Sequence, residues 1–236
     1  MSRMYKETQT FNPAVGCKYG CVYCKPSFQA ILKRFHGKKC KGCKDFTPHY
    51  HPERLNKIPT NKENLLLFGT GDITFYKEDF VIKTLKLVNE KLEKYSDITL
   101  YLQSKNPIIF NKYLPYLVED RTVLLTTLET NRDYNYFTFS KAPMPSVRAK
   151  DFNSLDFDHK IITIEPVMDF DLIPFFNMIQ DINPERIYLG LNSRPKQVLL
   201  PEPSHLKFIN FYLVLKDISG YDVVLKNIDR LKGFVK

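Results

Sequence analysis

Apolar runs and amphipathic segments take turns along most of this chain. The run Leu65–Phe68, preceded by Asn64, ends in the polar turn Gly69, Thr70, Gly71, Asp72, as a buried strand feeding a loop would. Residues 80–95 follow, with Ile82, Leu85, Val88 and Leu92 at three- and four-residue spacing. That is the period of a helix with one apolar face. The alternation then repeats. It predicts strands over 98–107, 122–132, 160–167 and 186–193, and helices over 108–118 (broken at Pro115), 172–182, 205–216 and 222–231. Residues 133–157 carry Pro143 and Pro145 and support only a short helix near 146–150. Ahead of Asn64, residues 8–13 alternate polar and apolar and end in Pro13, a first strand entering a loop. Residues 28–35 have helical periodicity, and residues 1–7 read as a short basic tail.

Strands that alternate with helices imply βαβ units on a parallel sheet. Six units with polar residues at each strand's C-terminal end predict an α/β chain folded as a partial (β/α)6 TIM-type barrel, with its chemistry at that end. A doubly wound open sheet is the other arrangement such a pattern allows, but no G-x-G-x-x-G opens a helix here. One domain over residues 1–236 is expected, with an insertion at about 38–60 and terminal helices at about 205–231.

Composition narrows the class. With 43% apolar residues the chain is not of the disordered kind, and no run of 18 apolar residues marks a membrane span. No signal-peptide pattern opens it, so a cytoplasmic protein with reduced thiols is expected. The formal charge of +9 favours a polyanionic partner, and 14 Tyr and 18 Phe supply surface for packing or base stacking. Together these point toward a nucleic acid or nucleoside substrate.

The candidate chemistry is concentrated in cysteines. Three of the five, Cys17, Cys21 and Cys24, are spaced C-x3-C-x2-C. Thiolates are soft ligands for iron–sulfur clusters and zinc. Three on one tight loop can hold three corners of a [4Fe–4S] cube and leave the fourth iron without a protein ligand. A structural zinc site completed by one further ligand is the main alternative. A disulfide framework would leave an odd cysteine and suits short secreted chains. The insertion brings Cys40 and Cys43 close to His49 and His51. These are the residue types of a tetrahedral zinc site, and on an extended segment residues two apart point the same way. This second site is expected to be separate from the first. A reduced dithiol beside capping histidines is the other reading. Lys38, Lys39, Lys41 and Lys44 make the insertion basic, a solvated loop or a phosphate-binding one.

The three-cysteine spacing, with aromatic Tyr23 before the last cysteine, resembles the signature of the radical S-adenosylmethionine (radical-SAM) enzymes. Thr10-Phe11-Asn12-Pro13, Gly71-Asp72 and Ile164-Glu165-Pro166 look like a poorly characterised, phage-associated branch, with some likeness to spore photoproduct lyase. The resemblance implies an incomplete (β/α)6 barrel with the cluster loop after the first strand. It also implies a [4Fe–4S] cluster on Cys17, Cys21 and Cys24 and S-adenosylmethionine as cofactor. An external donor would reduce the cluster, and reductive cleavage would give a 5′-deoxyadenosyl radical for hydrogen abstraction. The family's Gly-Gly-Glu-like turn corresponds to Gly69, Thr70, Gly71 and Asp72, with Asp72 accepting from the cofactor's amino group. Further cofactor contacts fall on Gln103, Thr127, Glu129, Arg132, Glu165 and Asn192, Arg132 being the carboxylate partner. A zinc-stabilised nucleic-acid-binding module without catalysis is the alternative function.

Overall fold

The computed structural model describes residues 8–95 and 97–231, and the expected basic tail at residues 1–7 lies outside the described residues. Seven strands form one parallel sheet: β1 (Thr8–Phe11), β4 (Asn64–Leu67), β5 (Thr99–Gln103), β6 (Thr122–Thr127), β7 (Lys160–Ile164), β8 (Arg186–Gly190) and β9 (Asp222–Lys226). Their spatial order follows the sequence, β1-β4-β5-β6-β7-β8-β9. The sheet curls into a half-barrel flanked by helices, a partial TIM-type barrel. In β6 and β7 every residue is buried, as expected where helices cover one face of a parallel sheet and the curled barrel interior closes over the other.

The helices bury the faces their sequences promise. α3 (Glu78–Leu92) turns Val81, Thr84, Leu85, Val88 and Leu92 inward and carries Glu78 and Asp79 in its first turn, where the positive end of the helix dipole favours them. α5 (Leu172–Ile182) buries Phe175, Ile179 and Ile182 and ends at Asn183 in the left-handed region. α6 (His205–Leu213) starts at Ser204, whose side chain accepts from the Lys207 amide. α4 (Pro145–Asn153) is longer than expected, because Pro145 takes its first turn and Phe152 and Ala149 are buried. α1 (Ala30–His36) follows a single π-helical turn over Lys25–Gln29.

Two expected helices are corrected. Residues 222–231 begin with β9, not a helix. Val223 and Val224 are β-branched, and the segment pairs in register with Arg186–Gly190 of β8. It therefore adds a seventh strand to the six expected. Only a short 3-10 turn, Asp229–Leu231, follows. Its Leu231 is fully buried, and its Arg230 clasps Glu202 and donates to the Asn192 carbonyl. Residues 108–118 form two 3-10 turns, Pro107–Lys112 and Leu114–Tyr116, each with a proline in its first turn.

The insertion makes a second, two-stranded sheet: β2 (Ala14–Val15) pairs antiparallel with β3 (His49–Tyr50). Between them in sequence lie α1 and α2 (Lys41–Asp45). β2 runs directly into Gly16 and Cys17. Gly16 has φ +102, and a Cβ there would stand 2.2 Å from the Thr47 carbonyl oxygen. Its amide donates to the Thr70 carbonyl at 3.0 Å, and it bridges to Gly71. A Cβ on Gly71 would meet the Tyr76 hydroxyl at 1.8 Å and the Gly16 carbonyl at 2.5 Å. The cysteine loop and the turn after β4 thus approach backbone to backbone, through glycine.

Candidate active site and metal centre

All seven strands point their C-terminal ends toward the cysteine loop and the loops beside it. Cys17, Cys21 and Cys24 line one cavity of about 160 Å³, together with Gly69, Gly71, Asp72, Gln103 and Lys105. Cys21 is buried, with its sulfur 3.1 Å from the Ser140 hydroxyl, while Cys17 and Cys24 are half-buried. Burial pushes the Cys24 thiol up to about 11, and burial followed by the charge of Asp72 pushes Cys17 up as well. Without a cation the Cys17 and Cys24 thiols stay protonated. A metal cluster is the kind of partner that would favour their thiolates.

A second cavity of about 260 Å³ adjoins it. Tyr23, Cys24, Phe28, Gln103 and Lys105 line both. Thr127, Glu165 and Asn192 line the larger one, with Lys226. Gln103 Nε2 donates to Thr127 Oγ1 at 3.1 Å, and Thr163 Oγ1 donates to the same oxygen at 2.9 Å. Glu165, joined to Pro166 by a cis peptide, accepts from Lys226 Nζ at 2.9 Å and from Asn227 Nδ2. Asn192 is held by the Val198 carbonyl at 2.8 Å.

Four expected contacts, Asp72, Thr70, Arg132 and Glu129, have other engagements. Asp72 lines the cysteine cavity but is buried as the N-cap of the turn Ile73–Phe75. It accepts from the Thr74 amide at 3.0 Å, the Ser104 hydroxyl at 2.8 Å and the Lys105 amide at 2.8 Å. Thr70 takes part through its backbone, its amide donating to Asn12 Oδ1. Arg132 lines a different cavity, with Tyr134 and Met168. Its guanidinium is bound to Asp169 and bidentate with Asp171, so it is not gathered with the cysteines.

Glu129 is fully buried behind Tyr23. Arg148 donates to its Oε2 at 2.6 Å, and Lys105, Tyr23 and Tyr136 all donate to its Oε1. Burial opposes the Glu129 charge, but the cations of Arg148 and Lys105 outweigh it and hold the carboxyl well below the usual range. Burial would likewise discharge Lys105, and Glu129 keeps its ammonium protonated. Burial and the Glu129 charge push the Tyr23 phenol well up, so it remains a donor. The aromatic residue of the cysteine motif is therefore latched to β5 and β6 by a buried charge network. The sequence offered no signal for Arg148, which lies in a stretch read only as a short helix, nor for Lys226, read as helical.

The insertion brings four donors together. Cys40 Sγ lies 3.1 Å from His49 Nε2 and 3.9 Å from His51 Nε2. Cys43 Sγ lies 3.3 and 3.4 Å from the same atoms. The two Nε2 atoms are 2.9 Å apart, and the whole set fits within 4.8 Å. Its donors are distinct from Cys17, Cys21 and Cys24, but the two groups pack against each other. Cys40, Cys43, Phe46 and Val15 pack with Cys17 and Cys24, and the Cys17 amide donates to the Phe46 carbonyl. Lys38, Lys39, Lys41 and Lys44 are exposed. Among the described residues no helix is long and apolar enough to cross a membrane.

No family model matches the chain, and no curated protein does. The finer likenesses, to a phage-associated branch and to spore photoproduct lyase, gain no support there. Among solved structures the chain is similar to Streptococcus suis SuiB, crystallised bound to precursor peptide SuiA, with a TM-score of 0.57 and 10% identity. The match covers 94% of this chain and 49% of SuiB, so the chain spans about half that protein's length. At this identity the likeness speaks for the fold, an incomplete α/β barrel, and the function has to be argued from the site.

Proposed function

We propose that this chain is a radical-SAM enzyme. The observation that carries the reading is the C-x3-C-x2-C loop, whose three cysteines line one cavity at the C-terminal end of a partial TIM-type barrel. That cavity adjoins a larger one of about 260 Å³. The residues suit a [4Fe–4S] cluster. Three thiols share a wall, and the other side chains of that wall include no fourth thiol or imidazole. A cluster with S-adenosylmethionine would supply a 5′-deoxyadenosyl radical for hydrogen abstraction, given an external electron donor.

The chain's own residues provide the setting. Cys17, Cys21 and Cys24 would hold the cluster, and Gly71 lets the turn after β4 approach the cysteine loop at Gly16. Tyr23 is locked by Glu129 and Lys105. Gln103, Thr127, Glu165, Asn192 and Lys226 present polar groups where the cofactor and substrate would meet. The net charge and the exposed lysines of the insertion favour a nucleic acid or nucleoside as substrate. SuiB's precursor peptide makes a peptide the competitor to test against.

Anaerobic reconstitution with iron and sulfide tests the reading. Visible charge-transfer absorption and release of 5′-deoxyadenosine from S-adenosylmethionine are the expected results. The second reading, a zinc-stabilised nucleic-acid-binding module without catalysis, is favoured by the Cys/His group and the basic loop. It predicts colourless protein with stoichiometric zinc and no cleavage.

A further inference from the structure

We infer that Cys40, Cys43, His49 and His51 bind one zinc ion, and that this ion fastens the hairpin that leads into the cysteine loop. Tetrahedral zinc with bonds of about 2.3 Å to sulfur and about 2.05 Å to nitrogen places neighbouring donors about 3.3–3.8 Å apart. The sulfur–nitrogen separations here are 3.1–3.9 Å and the nitrogen–nitrogen one 2.9 Å, close to the edges of that tetrahedron. Two sulfurs and two imidazoles in tetrahedral array select zinc among the common metals. A two-iron centre of the Rieske type would put both histidines on one iron and both cysteines on the other. Here each sulfur lies beside imidazole nitrogens, so the four donors enclose a single ion. With four protein ligands the site is closed, which is the structural rather than the catalytic form.

The surroundings are those of a built site. Each histidine presents Nε2 inward and has its Nδ1 held from behind, His49 by the Thr47 carbonyl at 2.7 Å and His51 by Glu53 at 3.1 Å. Such outer partners fix the tautomer and orientation of metal-binding imidazoles. Gly42, between the two cysteines, leaves room for the His49 ring, since a Cβ there would stand 2.6 Å from His49 Cγ. Cys40 caps α2 and accepts from the Cys43 amide at 3.1 Å, a contact that suits a sulfur carrying negative charge.

The role follows from where the ligands sit. Two come from α2 and its N-cap, and two from β3 and the residue after it. β3 pairs with β2, and the His51 amide donates to the Pro13 carbonyl at 2.6 Å. One ion would therefore tie the residue 40–51 segment to itself and hold it against the strand preceding Cys17. This inference does not rest on the cluster reading, because its donors are separate from Cys17, Cys21 and Cys24.

Metal analysis of the full chain purified with zinc present decides it. One zinc per chain is expected in the wild type and in Cys17→Ser/Cys21→Ser/Cys24→Ser, and loss of that zinc in Cys40→Ser/Cys43→Ser. Zinc that disappears with the first triple and survives the second pair overturns the assignment, and so does iron in place of zinc. Cys43 is buried, so its substitution also strains folding. Glu53→Ala, at an exposed side chain, supplies the milder variant and should weaken zinc binding about tenfold. Unchanged affinity there removes the outer-partner argument and counts against the site. Cobalt titrated into chelator-treated wild type should give the visible bands of a tetrahedral thiolate site, bleached by zinc. A colourless cobalt protein overturns it. The fastening role is read by hydrogen exchange. Zinc removal should expose the amides of Cys17 and His51 while β6 and β7 stay protected, and unchanged protection at Cys17 and His51 refutes that role.

Discussion

The chain carries two cysteine groups that share a wall, and they are prepared to opposite degrees. Around Cys40, Cys43, His49 and His51 the donor atoms already converge within 4.8 Å, and outer partners aim both rings. Around Cys17, Cys21 and Cys24 the sulfurs edge a cavity whose other walls are aromatic rings, glycines and the carboxylate, amide and ammonium groups of Asp72, Gln103 and Lys105. The first arrangement leaves no position for anything but an ion. The second leaves space on one side, which is what a reactive centre needs. Preparation costs little where the ligands lie on one helix and one hairpin. It demands more of the open site, which is fixed from outside by the Gly16–Gly71 approach and by the buried network on Tyr23.

The sharpest way to break the contrast is at the sulfurs. Cys17→Ala, Cys21→Ala and Cys24→Ala are each expected to abolish cluster absorption after anaerobic reconstitution, because two thiolates do not retain a labile cube. Intact absorption in any of them would contradict the assignment.

Next in size is Arg148→Met, which leaves Glu129 buried with Lys105 as its remaining cation. Removing one partner of a buried pair typically costs about 3–5 kcal/mol, a fall in Tm of roughly 10 °C for a chain of this length, measurable by calorimetry. Acid titration sharpens this point. The folded Glu129 pKa lies below its unfolded value near 4.5. Its pairing therefore stabilises the fold above that pH and is lost as pH falls further toward the folded value. Glu129→Gln should be less stable at neutral pH and lose less on acidification below pH 4.5. An unchanged acid limb would mean that the paired Glu129 charge does not stabilise the fold.

Gly71→Ala tests the backbone approach. Its Cβ would collide with Tyr76 and the Gly16 carbonyl, and overpacking of this kind costs about 1–3 kcal/mol. Urea unfolding would report it. A neutral substitution would show that the cysteine loop tolerates displacement.

The smallest expected effect on stability belongs to neutralising Lys38, Lys39, Lys41 and Lys44 together, since all four are exposed. If the insertion guides a nucleic acid, the slope of log affinity against log salt should flatten by about 0.9 for each duplex phosphate that a lysine no longer neutralises. Superimposable titrations of DNA and RNA would leave a peptide or small molecule as substrate.

What the chain discloses without coordinates depends on range. α5 is legible to the residue because Phe175, Ile179 and Ile182 keep helical spacing and Asn183 ends it. The Cys/His group is legible because its ligands lie within twelve residues and two alternate along an extended segment. β9 is not, since Val224, Ile228 and Leu231 fall at helical spacing, and it is pairing with β8 that decides. The 108–118 stretch has apolar residues at helical intervals, but Pro107 and Pro115 divide it into tighter turns. Glu129 is visible as a polar strand exit, yet its partners Tyr23 and Arg148 lie 106 and 19 residues away. No local period records such a pairing.

The turn Asp229–Leu231 sets a limit on how far the chain can be shortened. Glu202 binds Arg230 through both carboxylate oxygens, and one of these also accepts from the Asn192 amide at 3.0 Å. Leu231 sits in the same core as Phe208 and Phe211. A protease that clipped after Ile228 would remove only a few described residues. It would nonetheless remove the Arg230 clasp from the 192–202 loop at the barrel mouth and open a gap beside α6. The boundary of a minimal fragment therefore falls beyond Leu231, past the last strand of the sheet.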